Sequence, residues 1–126
     1  MVIDNLFDIE VQSEAISLPL PPSTNRLWVR TKRGMRKTQK ARNYAAEVWA
    51  ICNENKRQDK TQPVQLVIDV FPQNKRRDLD NFQKALLDSL QGILYNNDKQ
   101  IEAILIRRYY VDASDFRRGS VQVTVV

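Results

Sequence analysis

Val64-Gln-Leu-Val-Ile-Asp-Val-Phe71, stopped by Pro72, is followed shortly by Asp80-Asn-Phe-Gln-Lys-Ala-Leu-Leu-Asp-Ser-Leu-Gln91 and Gly92. The first run is rich in β-branched residues and reads as a largely buried strand. In the second, Leu79, Phe82, Leu86 and Leu90 recur at helical spacing, so a helix is expected over about 80–91, ended by Gly92. A strand and a helix this close together anchor the reading of the rest. Towards the C-terminus, Asn96-Asn97-Asp98 marks a turn, and Ile101–Val111 and Ser120–Val126 read as two strands, expected to be antiparallel neighbours across the 112–119 loop.

Towards the N-terminus, Thr38 is placed to cap a helix through about Asn53, with Ala41, Tyr44, Ala45, Val48, Trp49 and Cys52 at helical spacing and Tyr44 and Trp49 expected in the core. Residues 14–20 alternate as a strand ended by Pro21-Pro22. The stretch that follows, around Gly34, is expected to be a long exposed loop or a hairpin. Residues 1–13 carry Asp4, Asp8 and Glu10 and read as an acidic arm or short edge strand, set apart from a domain over 14–126. The predicted order β-α-β-α-β-β is that of a single α+β domain, two helices packed on a mixed or antiparallel sheet.

Composition removes whole classes of chemistry. The chain has 126 residues, no histidine and one cysteine, Cys52. His-dependent triads, imidazole acid–base catalysis and multi-cysteine zinc sites are therefore excluded, and catalysis must rest on carboxylates, lysines, hydroxyls or an oxygen-bound metal. No stretch is apolar enough for a membrane span and the N-terminus has no signal-peptide pattern, so the expected location is cytoplasmic, with no membrane partner. The net charge of +5 favours a polyanionic partner. Residues 26–42 hold eight basic residues and no acid, among them Arg26, Arg30, Lys32 and Arg33. Further basic clusters stand at Lys75-Arg76-Arg77, Arg107-Arg108 and Arg117-Arg118.

The densest chemical signal is Arg76-Arg77-Asp78-Leu79-Asp80-Asn81. With the chain extended across 78–80, both carboxylates project to one side while Leu79 turns inward. Lys84 follows one helical turn after Asp80, and the loop bearing Asp98 returns towards the same place. Clustered carboxylates repel unless a hard cation joins them, and Mg²⁺ or Mn²⁺ fits an all-oxygen donor set. The residues alone are thus compatible with metal-assisted phosphodiester hydrolysis. Taken one by one, their ordinary roles are an Asp capping a helix, Lys84 exposed and pairing with Asp80 or Asp88, and Asp98 serving as a turn residue.

The run Arg77-Asp78-Leu79-Asp80-Asn81-Phe82-Gln83-Lys84-Ala85, then Asp88-Ser89-Leu90 and Asn97-Asp98-Lys99-Gln100-Ile101, resembles the RusA family of Holliday junction resolvases. So does Leu18-Pro-Leu-Pro-Pro-Ser-Thr-Asn-Arg26 near the start. The resemblance implies a homodimeric, Mg²⁺-dependent endodeoxyribonuclease that makes paired symmetric nicks in four-way DNA during recombination and repair, without a nucleotide cofactor. It implies that Asp78, Asp80 and Asp98 bind the metal and that Lys84 is the essential lysine. Arg77 and Asn81 take supporting roles in the motif, and DNA contact is expected from these two as well as from Asn25, Arg26, Arg30, Lys32, Arg33, Lys75 and Arg76. Asn97 stands where the family often has a further acid. The competing readings are a nuclease for another branched DNA or RNA, and a non-catalytic DNA-binding module.

Overall fold

The computed structural model describes residues 15–23, 27–53 and 60–126. The expected arm over 1–13 lies outside the described residues, as do Asn25 and Arg26. The elements run β1 (Ile16–Pro19), β2 (Trp28–Thr31), β3 (Gly34–Lys37), α1 (Gln39–Cys52), β4 (Val64–Phe71), α2 (Gln83–Leu90), β5 (Ile101–Arg108) and β6 (Ser120–Val125). A 3₁₀ turn, Leu79–Phe82, leads into α2, and another, Asp98–Gln100, leads into β5. The α+β class is as read from the sequence, and the basic stretch after β1 is a hairpin, β2 paired with β3.

The main sheet has the order β1-β6-β4-β5. This corrects the expected pairing of the last two strands: β5 and β6 do not pair, because β4 lies between them, parallel to β5 and antiparallel to β6. The physical reason lies in β4 itself. All eight of its residues are buried, so it must be covered on both edges as well as both faces. β5 carries Glu102 and Arg108 exposed and fits a sheet edge. The segment between Arg108 and Ser120 is long enough to cross about 10 Å, two strand spacings, over β4.

Both helices pack on one face of this sheet. Val64, Leu66, Ile68 and Val70 alternate along β4 into a core with Tyr44, Val48 and Cys52 of α1 and Phe82, Leu86 and Leu90 from the α2 region. Thr38 caps α1 as expected, its hydroxyl accepting from the Ala41 N–H at 3.2 Å, a contact worth about 1 kcal/mol. Tyr44 donates to the Pro19 carbonyl at 2.8 Å and ties α1 to the end of β1. Trp49 is a correction: it is exposed, since the buried stripe of α1 is the narrow set Ala41, Tyr44, Val48 and Cys52, and Trp49 is turned out of it. On the opposite sheet face, Asp69, wholly buried, accepts from Arg107 Nε at 2.7 Å and Nη2 at 3.1 Å.

Candidate active site

The candidate site begins where β4 ends. After Pro72 the chain emerges from the core and turns through Lys75 and Arg76, both exposed, to Asp78. Asp78 has extended backbone (φ −69°, ψ 154°) and stands at the N-cap of the 3₁₀ turn, yet its side chain makes no capping hydrogen bond. The capping alternative therefore fails for Asp78. Asp80 is already inside that turn, so the two carboxylates are gathered by an extended residue followed by a tight turn, not by strand alternation.

Asp78, Asp80, Asn81 and Lys84 line one cleft of about 640 Å³, with Leu27, Trp28, Gln83 and Leu87. Phe82, buried beneath, fixes the floor of the turn in the core. Lys84 is largely exposed, and its Nζ lies 3.2 Å from Asp88 Oδ1 one helical turn on. Of the two partners open to it from the sequence, Lys84 thus takes Asp88. Among the described residues, no ion pair consumes Asp78, Asp80 or Asp98.

Asp98 does not line this cleft. It opens the short 3₁₀ turn before β5, which Asn97 caps, its side chain accepting from the Lys99 N–H at 2.9 Å. The Gln100 side chain completes a capping box with the Asn97 N–H at 2.8 Å. The turn is thereby held without the Asp98 carboxylate. Tyr95 links the two places: its hydroxyl donates to the Leu87 carbonyl at 2.6 Å, and its pKa is raised by burial and by the charges of Asp88 and Asp98. Among the described residues there is no cluster of three metal-ligating side chains. The donor set in the cleft is two carboxylates, which suits a hard cation such as Mg²⁺, usually held by one or two carboxylates with waters and substrate phosphate.

Arg77 belongs to the framework of the site. It donates to the Pro21 carbonyl at 2.8 Å, to Asn81 Oδ1 at 3.1 Å and to the Asn81 carbonyl at 3.2 Å, and its guanidinium lies 3.9 Å from the Phe82 ring centroid. Burial lowers its pKa. These contacts lock the Asp78–Phe82 turn to the end of β1. Arg108 adds a further tie by donating to the Arg77 carbonyl at 3.0 Å.

The other expected DNA contacts are at the surface. Arg30, Lys32 and Arg33 stand exposed on the β2–β3 hairpin, and Lys75 lies with Arg108 about the Tyr110 ring. Trp28 is the residue that sequence reasoning missed. It shares the cleft with both carboxylates, and the available signal was its place two residues after Arg26 in the Pro-Pro-Ser-Thr-Asn-Arg opening.

With this geometry in place, comparison with known proteins is informative. The sequence model of the family described as Endodeoxyribonuclease RusA matches residues 19–125. The chain is also similar to the "Crossover junction endodeoxyribonuclease rusA" of Enterobacteria phage HK97. The two are 35% identical over 95 residues, which cover 72% of this chain and 78% of the relative.

Proposed function

The chain belongs to the RusA family and is an endodeoxyribonuclease, and from that premise we propose that it resolves four-way DNA junctions by paired symmetric nicks in a Mg²⁺-dependent reaction, as a homodimer. The observation that carries the reading is the cleft holding Asp78, Asp80, Asn81 and Lys84 together, with Asp78 engaged in no cap. Asp78 and Asp80 would hold the cation; Asp98, which the motif adds as a third carboxylate, stands outside the wall they share. Mn²⁺ is a reasonable substitute because it takes the same oxygen donors. When bound, the cation supplies Lewis-acid stabilisation to a scissile phosphodiester and makes water more acidic.

The protein's own groups do the rest. Lys84, steered by Asp88, brings a positive charge to the mouth of the cleft, where negative charge develops on the oxygens of a breaking phosphodiester. Arg77 and Asn81 keep the two carboxylates in place from behind. Phosphate contact falls to Asn25, Arg26, Arg30, Lys32, Arg33, Lys75 and Arg76. Two nicks placed symmetrically across a junction need two such sites related by a two-fold axis, which a C₂ dimer provides. Recombination and repair are the processes in which such branched DNA arises. Among the described residues, no helix is long and apolar enough to cross a membrane.

The test is cleavage of an end-labelled mobile four-way junction beside linear duplex, in Mg²⁺ and in EDTA. Paired nicks in the junction alone, and only with Mg²⁺, are expected. Cutting in EDTA would contradict the metal role, and equal cutting of duplex would contradict the substrate.

A further inference from the structure

The β2–β3 hairpin is an element whose sequence the core does not explain. All eight of its strand residues are exposed. An isolated two-stranded hairpin is marginal in water, and this one is pinned at its root and its tip. At the root, Leu27 is buried and its carbonyl accepts from the Thr38 N–H at 2.9 Å. At the tip, the Thr31 hydroxyl donates to the Gly34 carbonyl at 2.8 Å and accepts from the Arg33 N–H at 3.2 Å, while Gly34 supplies φ 107°. The hairpin is therefore a built projection.

Its pairing register sorts the side chains. Trp28 stands opposite Lys37 and Arg30 opposite Met35, so these four share one face, with Val29 and Arg36 on the other. The shared face alternates large apolar groups with cations: Lys37 Nζ lies 6.0 Å from the Trp28 ring centroid, and Trp28 and Met35 are 47% and 60% exposed. The face also starts at the chemistry, since Trp28 forms part of the wall around Asp78 and Asp80. Cations alone bind any duplex, because phosphates are alike everywhere. An exposed aromatic and an exposed thioether have no use against a phosphate backbone. They suit bases that have left their stack, the aromatic as a stacking platform and Met as an apolar wedge.

We infer that the Trp28–Arg30–Met35–Lys37 face of this hairpin receives unstacked bases at the branch point and so confers preference for branched over linear DNA. The five cations of the hairpin, Arg30, Lys32, Arg33, Arg36 and Lys37, hold the strands that flank the opening. The inference rests on the junction-resolving reading above and adds the element that tells a junction from a duplex.

The test uses the full-length protein carrying Asp80→Asn to prevent cutting. Its binding to a four-way junction and to duplex is measured, with 2-aminopurine at the branch nucleotides reporting unstacking. Met35→Ala, at an exposed position, and Trp28→Ala are then added separately. The expected result is a fall of about ten-fold in the junction-to-duplex affinity ratio for each, with loss of the 2-aminopurine signal and duplex binding unchanged. A ratio and signal within two-fold of the parent for both variants would overturn the inference, as would equal loss on junction and duplex. If the parent itself shows no junction preference, the substrate reading beneath it falls instead.

Discussion

β4 and the β2–β3 hairpin each place eight residues in strands, and they lie at opposite extremes of burial: every one is covered in β4 and every one is exposed in the hairpin. The identity of each residue in β4 answers to its neighbours in the fold. None of the hairpin's strand residues belongs to that core. The cleft with Asp78 and Asp80 joins the two regimes, with Phe82 buried under the turn and Trp28 of the hairpin at its wall. Substitutions should therefore separate into those that cost stability and those that cost function.

The largest effect on stability is expected in β4. Ile68→Ala removes a fully buried side chain from the centre of the core, and denaturant unfolding should show a loss of about 4 kcal/mol. Arg107→Met should cost about 3 kcal/mol in the same measurement, because Asp69 is left as an unpaired charge with no exposure. A loss below about 1 kcal/mol in both would mean that β4 is not the structural centre.

Lys84→Met reverses the pattern. The exposed pair with Asp88 is worth at most about 0.5 kcal/mol to stability, whereas single-turnover cleavage should slow by about a hundred-fold, or about 2.7 kcal/mol of barrier. Normal cleavage by this variant would remove Lys84 from the chemistry. Equally small on stability, Arg30→Gln with Arg33→Gln should shift unfolding by no more than about 0.5 kcal/mol. The same pair should flatten the salt dependence of junction binding, by about 0.9 in log–log slope for each phosphate that is no longer neutralised.

The same division governs what could be read in the sequence. Periodicity reports burial, so the elements that bury residues were legible: the Thr38 cap, the strand Val64–Phe71, and the stripe of Phe82, Leu86 and Leu90. The expected 80–91 helix proved to be a 3₁₀ turn followed by α2, because a pattern of buried positions does not distinguish the two when the turn is short. Adjacency was legible only in part. β5 and β6 have the patterns of strands, but nothing local in either says that the more fully buried β4 will come between them. Trp49 was misplaced because an aromatic at approximate helical spacing fits either the stripe or its margin.

At the site, Asp78, Asp80, Asn81 and Lys84 were readable because they lie close together in sequence and one turn apart in space. Trp28 was not, since its approach depends on how the hairpin root packs beside the helices. Asp98 is the reverse case. The motif puts it with the other two aspartates, whereas the fold places it outside the wall they share, in electrostatic reach of the same Tyr95 that Asp88 influences. Arg77 read as a supporting residue of the motif, and its contacts with Pro21 and Asn81 tie the carboxylate-bearing turn to β1.

In the proposed mechanism the carboxylates beyond the end of β4 serve chemistry and not the fold. Asp80→Asn keeps the shape of the side chain while removing its charge and replacing one acceptor oxygen with a donating amide. The decisive experiment follows its thermal unfolding, its junction affinity and its junction cleavage in Mg²⁺ on one preparation. An unchanged midpoint and retained binding are expected, with cleavage reduced by at least about a thousand-fold, several kcal/mol of lost transition-state stabilisation. A variant that unfolds at lower temperature and loses binding and cleavage together would overturn the mechanism, and Asp80 would then be a structural residue.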